Sequence, residues 1–161
     1  MGQYHYVVNL TKREFIHPHK LGCGLKVWEQ MATHPGTGAA LIGLLCYRET
    51  RGGGDIEGQA VGRWFGDRIA LIGDYAEDSD ALDFPDPVSK IVTLCRDLGD
   101  EPEEGTEDMI PYTDISDIVR EMLESQLRGH FDKSLGFAHW KYNDGSEGER
   151  GLKPDMIFSM G

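Results

Sequence analysis

His17-Pro18-His19 places two imidazoles two residues apart on an extended segment. Both side chains then point to one face, as a metal ion requires of its first two ligands. A third ligand has to come from elsewhere, and Asp55, Asp67 and Asp74 are the carboxylates within sequence reach. The plainer reading is a pair of partly exposed histidines at a strand end. Cys23 stands between Gly22 and Gly24 where a helix begins. Backbone N–H groups and the helix dipole lower a thiol pKa at such a place. Beside His17 or His19 it makes a Cys–His nucleophile, against the ordinary reading of a partly buried thiol. Two glycine loops, Gly36-Thr37-Gly38 and Arg51-Gly52-Gly53-Gly54-Asp55, offer N–H groups to a phosphate, the second with a guanidinium beside them. Neither ends in the Gly-Lys-Ser/Thr of a P-loop. Asp78-Ser79-Asp80 with Asp83 lacks the alternating ligands, glycine and distant glutamate of a calcium-binding EF-hand. No cofactor motif is present.

The elements that have to position these groups follow from periodicity. Residues 3–10 and Arg13 to His17 are rich in aromatic and β-branched types and predict a β-hairpin. With Thr11-Lys12 as its loop, Tyr6 faces His17 and Tyr4 faces His19. Leu25, Trp28 and Met31 mark a short helix ended by His34-Pro35. Thr37 then caps a second helix, Ala39 to Arg48, apolar on most faces and so expected to be buried. The continuous apolar run from Arg68 to Asp74 predicts a central strand, with Val61 to Phe65 as its partner across Gly66-Asp67. Asp86-Pro87 opens a helix carrying Val88, Ile91, Val92, Cys95 and Leu98 and closed by Gly99. Asp114 opens another, with Ile115, Ile118, Val119, Met122, Leu123 and Leu127 on one face and Gly129 after it. Strands around Phe137 to Tyr142 and Asp155 to Ser159 flank the polar loop Asn143 to Arg150. Strands at both ends with helices between predict an α+β fold: an antiparallel or mixed sheet packed on three to four helices as a single pair of layers. Trp28, Trp64 and Trp140 read as core or interface anchors.

Length and charge narrow the function. A chain of 161 residues fits one domain with a real core. Cys23, Cys46 and Cys95 are odd in number and widely spaced, which implies neither a disulfide framework nor a zinc knuckle and fits a reducing, cytoplasmic setting. The start, Met1-Gly2-Gln3-Tyr4-His5-Tyr6, lacks a basic region followed by an apolar stretch, and the uncharged run from Ala32 to Tyr47 is interrupted by Pro35, so no membrane segment is expected. The formal net charge of −12 is regional. Residues 73–125 hold 17 Asp/Glu against 3 Lys/Arg, while both flanks are near neutral. Within that segment lie Asp74, Glu77, Asp78 and Asp80, and then Glu101, Glu103, Glu104, Glu107 and Asp108. A negative field of that density repels nucleic-acid backbones and attracts basic protein surfaces. Its bland counterpart is a solvated acidic loop that aids solubility.

The strings Gly2-Gln3-Tyr4-His5-Tyr6-Val7-Val8-Asn9-Leu10, His17-Pro18-His19-Lys20-Leu21-Gly22, Arg51-Gly52-Gly53-Gly54-Asp55 and Gly66-Asp67-Arg68-Ile69 through Gly73-Asp74-Tyr75 resemble a family of hypothetical proteins from bacterial genomes and mobile elements. The resemblance covers about half the chain and implies no catalytic residue. Asp often stands in that family where this chain has Cys23, which implies an N-cap position rather than a nucleophile. Two functions are therefore in play. The first is a binding module, of a phage or mobile element, that docks its acidic residues on a basic host protein and inhibits it. The alternative is a small metal- or phosphate-dependent enzyme using His17, His19 and the loop Arg51, Gly52, Gly53, Gly54 and Asp55.

Overall fold

The computed structural model describes residues 3–21, 25–32, 36–47, 58–96, 100–132, 140–141 and 147–148. Strands β1 (His5–Asn9) and β2 (Glu14–Ile16) pair antiparallel, with Val7 opposite Ile16, Val8 opposite Phe15 and Asn9 opposite Glu14. That is the expected register, on a longer loop. No Asn-Gly or Asp-Gly is present to make a tight type I′ turn. The whole of Leu10–Arg13 therefore leaves the ladder with β2; Arg13 takes a φ of 55°, and the Asn9 side chain accepts the Lys12 N–H at 2.8 Å. Pro18 has no N–H with which to extend the ladder, so the chain turns into a 3-10 segment, Pro18–Leu21. Tyr6 meets His17 as expected. Tyr4 does not meet His19: its N–H donates to the Asp74 carboxylate at 3.0 Å and its carbonyl accepts the Asp74 N–H at 2.9 Å.

Strand β3 (Ile69–Gly73) pairs antiparallel with β1, and the two-residue strand β4 (Thr113–Asp114) runs parallel to β2. The order β3-β1-β2-β4 puts β3 at an edge, not at the centre. Its expected partner, Val61 to Phe65, is not a strand. Residues 58–66 form consecutive turns, with Gly62 and Gly66 at φ 68° and 76°, angles that no extended strand accommodates. The N–H groups of Gly62 and Trp64 donate instead to the carbonyls of Gly43 and Leu44, each at 2.9 Å.

The helices are α1 (Val27–Ala32), α2 (Thr37–Leu45), α3 (Val88–Leu94) and α4 (Ser116–Asp132). Trp28 and Met31 of α1 are exposed rather than packed. In α2, Thr37 is the first helical residue, not the cap, and is buried with Ala40, Gly43 and Leu44. Ile42 on its other side is 75% exposed, because only one face of the helix meets α4 and the turns after Gly58. Pro87 immediately precedes α3, and Asp86 is drawn away from capping by Arg13 at 2.7 Å and by the Tyr112 hydroxyl at 3.0 Å. The α3 helix stops at Leu94, short of Leu98. The Asp114 carboxylate accepts the Ser116 N–H at 2.8 Å, as a cap should, and α4 runs through Gly129 instead of stopping before it. A small separate pair joins β5 (Trp140–Lys141), within one expected strand, to β6 (Glu147–Gly148), within what was expected to be a loop. The strand expected around Asp155 to Ser159 lies outside the described residues.

The result is an α+β architecture, a four-stranded mixed sheet with α2, α3 and α4 packed against it. The expected single pair of layers gives way to a core on each face. Val7, Ile16, Leu44, Trp64, Val119 and Met122 fill one side, and Val8, Phe15, Ile72, Ile91, Leu94 and Tyr112 the other. Neighbours Val7 and Val8 are both buried, which a sheet with one wet face does not allow. Among the described residues no helix is long and apolar enough to cross a membrane.

Candidate functional site

The α3 face of the sheet leads to the site. Tyr6 of β1 and Phe15 of β2 project there, with their rings edge to face at 6.0 Å, and His17 follows just beyond β2. Together with Val92, Thr93, Cys95 and Arg96 at the end of α3, and with Asp100 and Glu103 from the acidic loop, they line a groove of about 360 Å³. The His17 ring meets Tyr6 edge-on at 5.2 Å, with the Tyr6 hydroxyl 3.4 Å from Nε2, and its backbone N–H donates to Ser116 Oγ at 2.7 Å. Arg96 Nη1 is buried and has no hydrogen-bond partner among the described residues. The groove thus sets a cation and an imidazole against two carboxylates from the segment that carries the net negative charge.

The acidic residues divide into two populations. Those of the first cluster are spent on the fold. Asp74 holds Tyr4, Glu77 and Asp80 make reciprocal bonds around a 3-10 turn, and Asp78 accepts the Ser89 N–H at 3.0 Å. The Ser89 backbone and hydroxyl hold the Asp78 carboxyl below its ordinary range. The second cluster is held by its backbone and leaves most of its carboxylates outward. Thr106 is fully buried, and its hydroxyl donates to the Glu103 carbonyl at 2.8 Å. Gly105 sits at φ 83°, and its N–H donates to Glu107 at 3.0 Å. That bond, after the one from the Glu107 N–H itself, holds the Glu107 carboxyl below its ordinary range. Glu101, Glu104 and Asp108 are exposed, and their carboxylates meet no partner among the described residues.

The other sequence candidates fare differently. The rings of His17 and His19 lie 5.6 Å apart, but among the described residues no third His, Cys, Asp or Glu joins them in a group fit to hold a metal ion. Asp67 is occupied by Asn9 at 2.8 Å and by Lys12, and Asp74 by Tyr4. Cys23, Asp55 and the whole Arg51–Asp55 loop lie outside the described residues. Sequence reasoning missed Arg96 and Tyr6 as groove residues, since nothing in the spacing of either signals that α3 ends beside the hairpin. No family model, curated protein or solved structure matches this chain.

Proposed function

We propose that this chain is an acidic protein-binding module whose loop 100–108 docks on the basic surface of a partner, such as a nucleic-acid-binding protein carries, and blocks it. The observation that carries this reading is the contrast between the two acidic clusters. A cluster that merely keeps a chain soluble has no reason to be pinned. This one is anchored by buried Thr106 and by the Gly105–Glu107 bond, while Glu101, Glu104 and Asp108 are exposed and meet no cation among the described residues. Pre-set carboxylates lower the ordering cost of binding and steer a cationic partner. The docking residues then narrow to Glu101, Glu103, Glu104 and Asp108, with Asp74, Glu77, Asp78 and Asp80 serving the fold.

Capture of basic proteins from a cell lysate, compared between the native chain and Glu101→Gln/Glu103→Gln/Glu104→Gln, tests this. Exposed ion pairs contribute about 0.2–1 kcal/mol each, so three losses weaken capture by roughly tenfold. Excess duplex DNA should displace the captured partner. Asp78→Asn should leave capture unchanged. Capture that survives both the triple substitution and a rise in salt, which shortens the Debye length from about 8 Å at physiological ionic strength to about 3 Å at 1 M, refutes the reading.

A further inference from the structure

The β3 edge of the sheet carries an inference independent of the acidic loop. The N–H of Leu10 donates to the Arg68 carbonyl at 2.8 Å and that of Asp74 to the Tyr4 carbonyl at 2.9 Å. Residues 68, 70, 72 and 74 therefore turn their backbone groups toward β1, and Ile69, Leu71 and Gly73 turn theirs outward, where no strand pairs with them among the described residues. Natural edges are blunted by charge, proline or a bulge. Ile69-Ala70-Leu71-Ile72-Gly73 has none of these. Leu71 is 46% exposed and opens onto an apolar groove of about 320 Å³ that Met31, Leu41 and Leu45 also line.

We infer that β3 pairs with β3 of a second copy of this chain, antiparallel and centred on Leu71, making one continuous eight-stranded sheet. Charge selects this occupant and this register. Around a two-fold axis at Leu71, Ile69 faces Gly73 of the second copy, and Arg68 faces its Asp74 at both ends of the strand. Every outward N–H and C=O finds its counterpart, because Leu71 opposite Leu71 is a hydrogen-bonding position on both strands. The Arg68 guanidinium already holds Asp83, an open pair whose carboxylate is 80% exposed, so it can share a second carboxylate without being desolvated. Each Leu71 then covers part of the groove beside the other. A parallel pairing sets no such opposite charges against each other.

Light scattering on the full chain across a concentration series at moderate salt, where the repulsion between two acidic copies is screened, reads the dimer directly. Leu71→Lys, which puts like charges on the axis at an already exposed position, should weaken it by about 100-fold. Leu71→Cys gives a second reading. Hydrogen-bonded antiparallel partners sit about 5.5 Å apart at Cα, within disulfide range, so mild oxidation should cross-link this variant while Leu82→Cys, at a position 90% exposed, stays monomeric. A chain that is monomeric up to submillimolar concentration, a dimer indifferent to Leu71→Lys, or equal cross-linking of the two cysteine variants overturns the inference.

Discussion

Glu14 offers a test of how the sheet is tied to the turns after α2. It is 6% exposed, yet it is charged, and three donors converge on it. Arg63 Nε lies 3.1 and 3.0 Å from its two oxygens, Arg63 Nη2 lies 2.5 Å from Oε1, and Trp64 Nε1 lies 2.8 Å from Oε2. Glu14→Ala strands the buried Trp64 N–H, at a cost of about 1–3 kcal/mol. It also breaks the ion pair. The Arg63 side chain is 39% exposed and can turn to water, so this part falls well below the ~3–5 kcal/mol of a fully buried pair. Together these make a loss of about 3 kcal/mol, or roughly 6–12 °C in Tm for a chain of this size. Glu14→Gln keeps an acceptor under Trp64 and should lose about 1 kcal/mol. In the cycle with Trp64→Phe, the Ala variant should show a coupling of about 1–2 kcal/mol. Urea unfolding followed by far-UV circular dichroism, with the slope unchanged between variants, measures all three. If Ala and Gln are equally harmful, or Ala loses less than about 1 kcal/mol, Glu14 does not tie the sheet to those turns.

Two further outcomes follow from groups whose protonation the fold shifts. Burial, and after it the nearby Asp114 charge, pushes the Cys95 thiol far above its ordinary value. In the native protein Cys95 should therefore resist iodoacetamide that labels Cys46, and should react once urea is added, as read by mass spectrometry; equal native labelling of both would contradict its place in the core. Burial raises the Asp114 carboxyl, but hydrogen bonds from Lys20 and Ser116 outweigh that and leave it below its ordinary value. A carboxyl depressed in the folded state contributes stability that is present above the unfolded value of about 3.9 and lost as pH falls through the folded one. Removing the Lys20 partner with Lys20→Met should move the acid-unfolding midpoint to higher pH, and an unmoved midpoint would show that the 2.5 Å contact does not hold in solution.

The hairpin register, the helices after Pro87 and Asp114 and the regional acidity were all legible in the residues, because each depends on local periodicity or local composition. A two-residue phase error between β1 and β2 would have separated Tyr6 from His17, and none occurred. The C-terminal stretch of α4 showed the limit of local rules: Gly129 is a good stop signal, but the helix passes through it.

What the sequence determined by itself was therefore the inventory: an α+β chain, strands at the start, helices between, and one acidic segment. Only the tertiary structure decided which strand is central. An apolar run such as Ile69-Ala70-Leu71-Ile72 reads alike whether strands or water flank its edge, since hydropathy reports which side chains are apolar and not where backbone groups find partners. In the same way, Asp78 and Asp108 are the same letter in the same acidic segment. One accepts a backbone N–H and the other accepts nothing among the described residues, a difference set by which loop returns beside which helix.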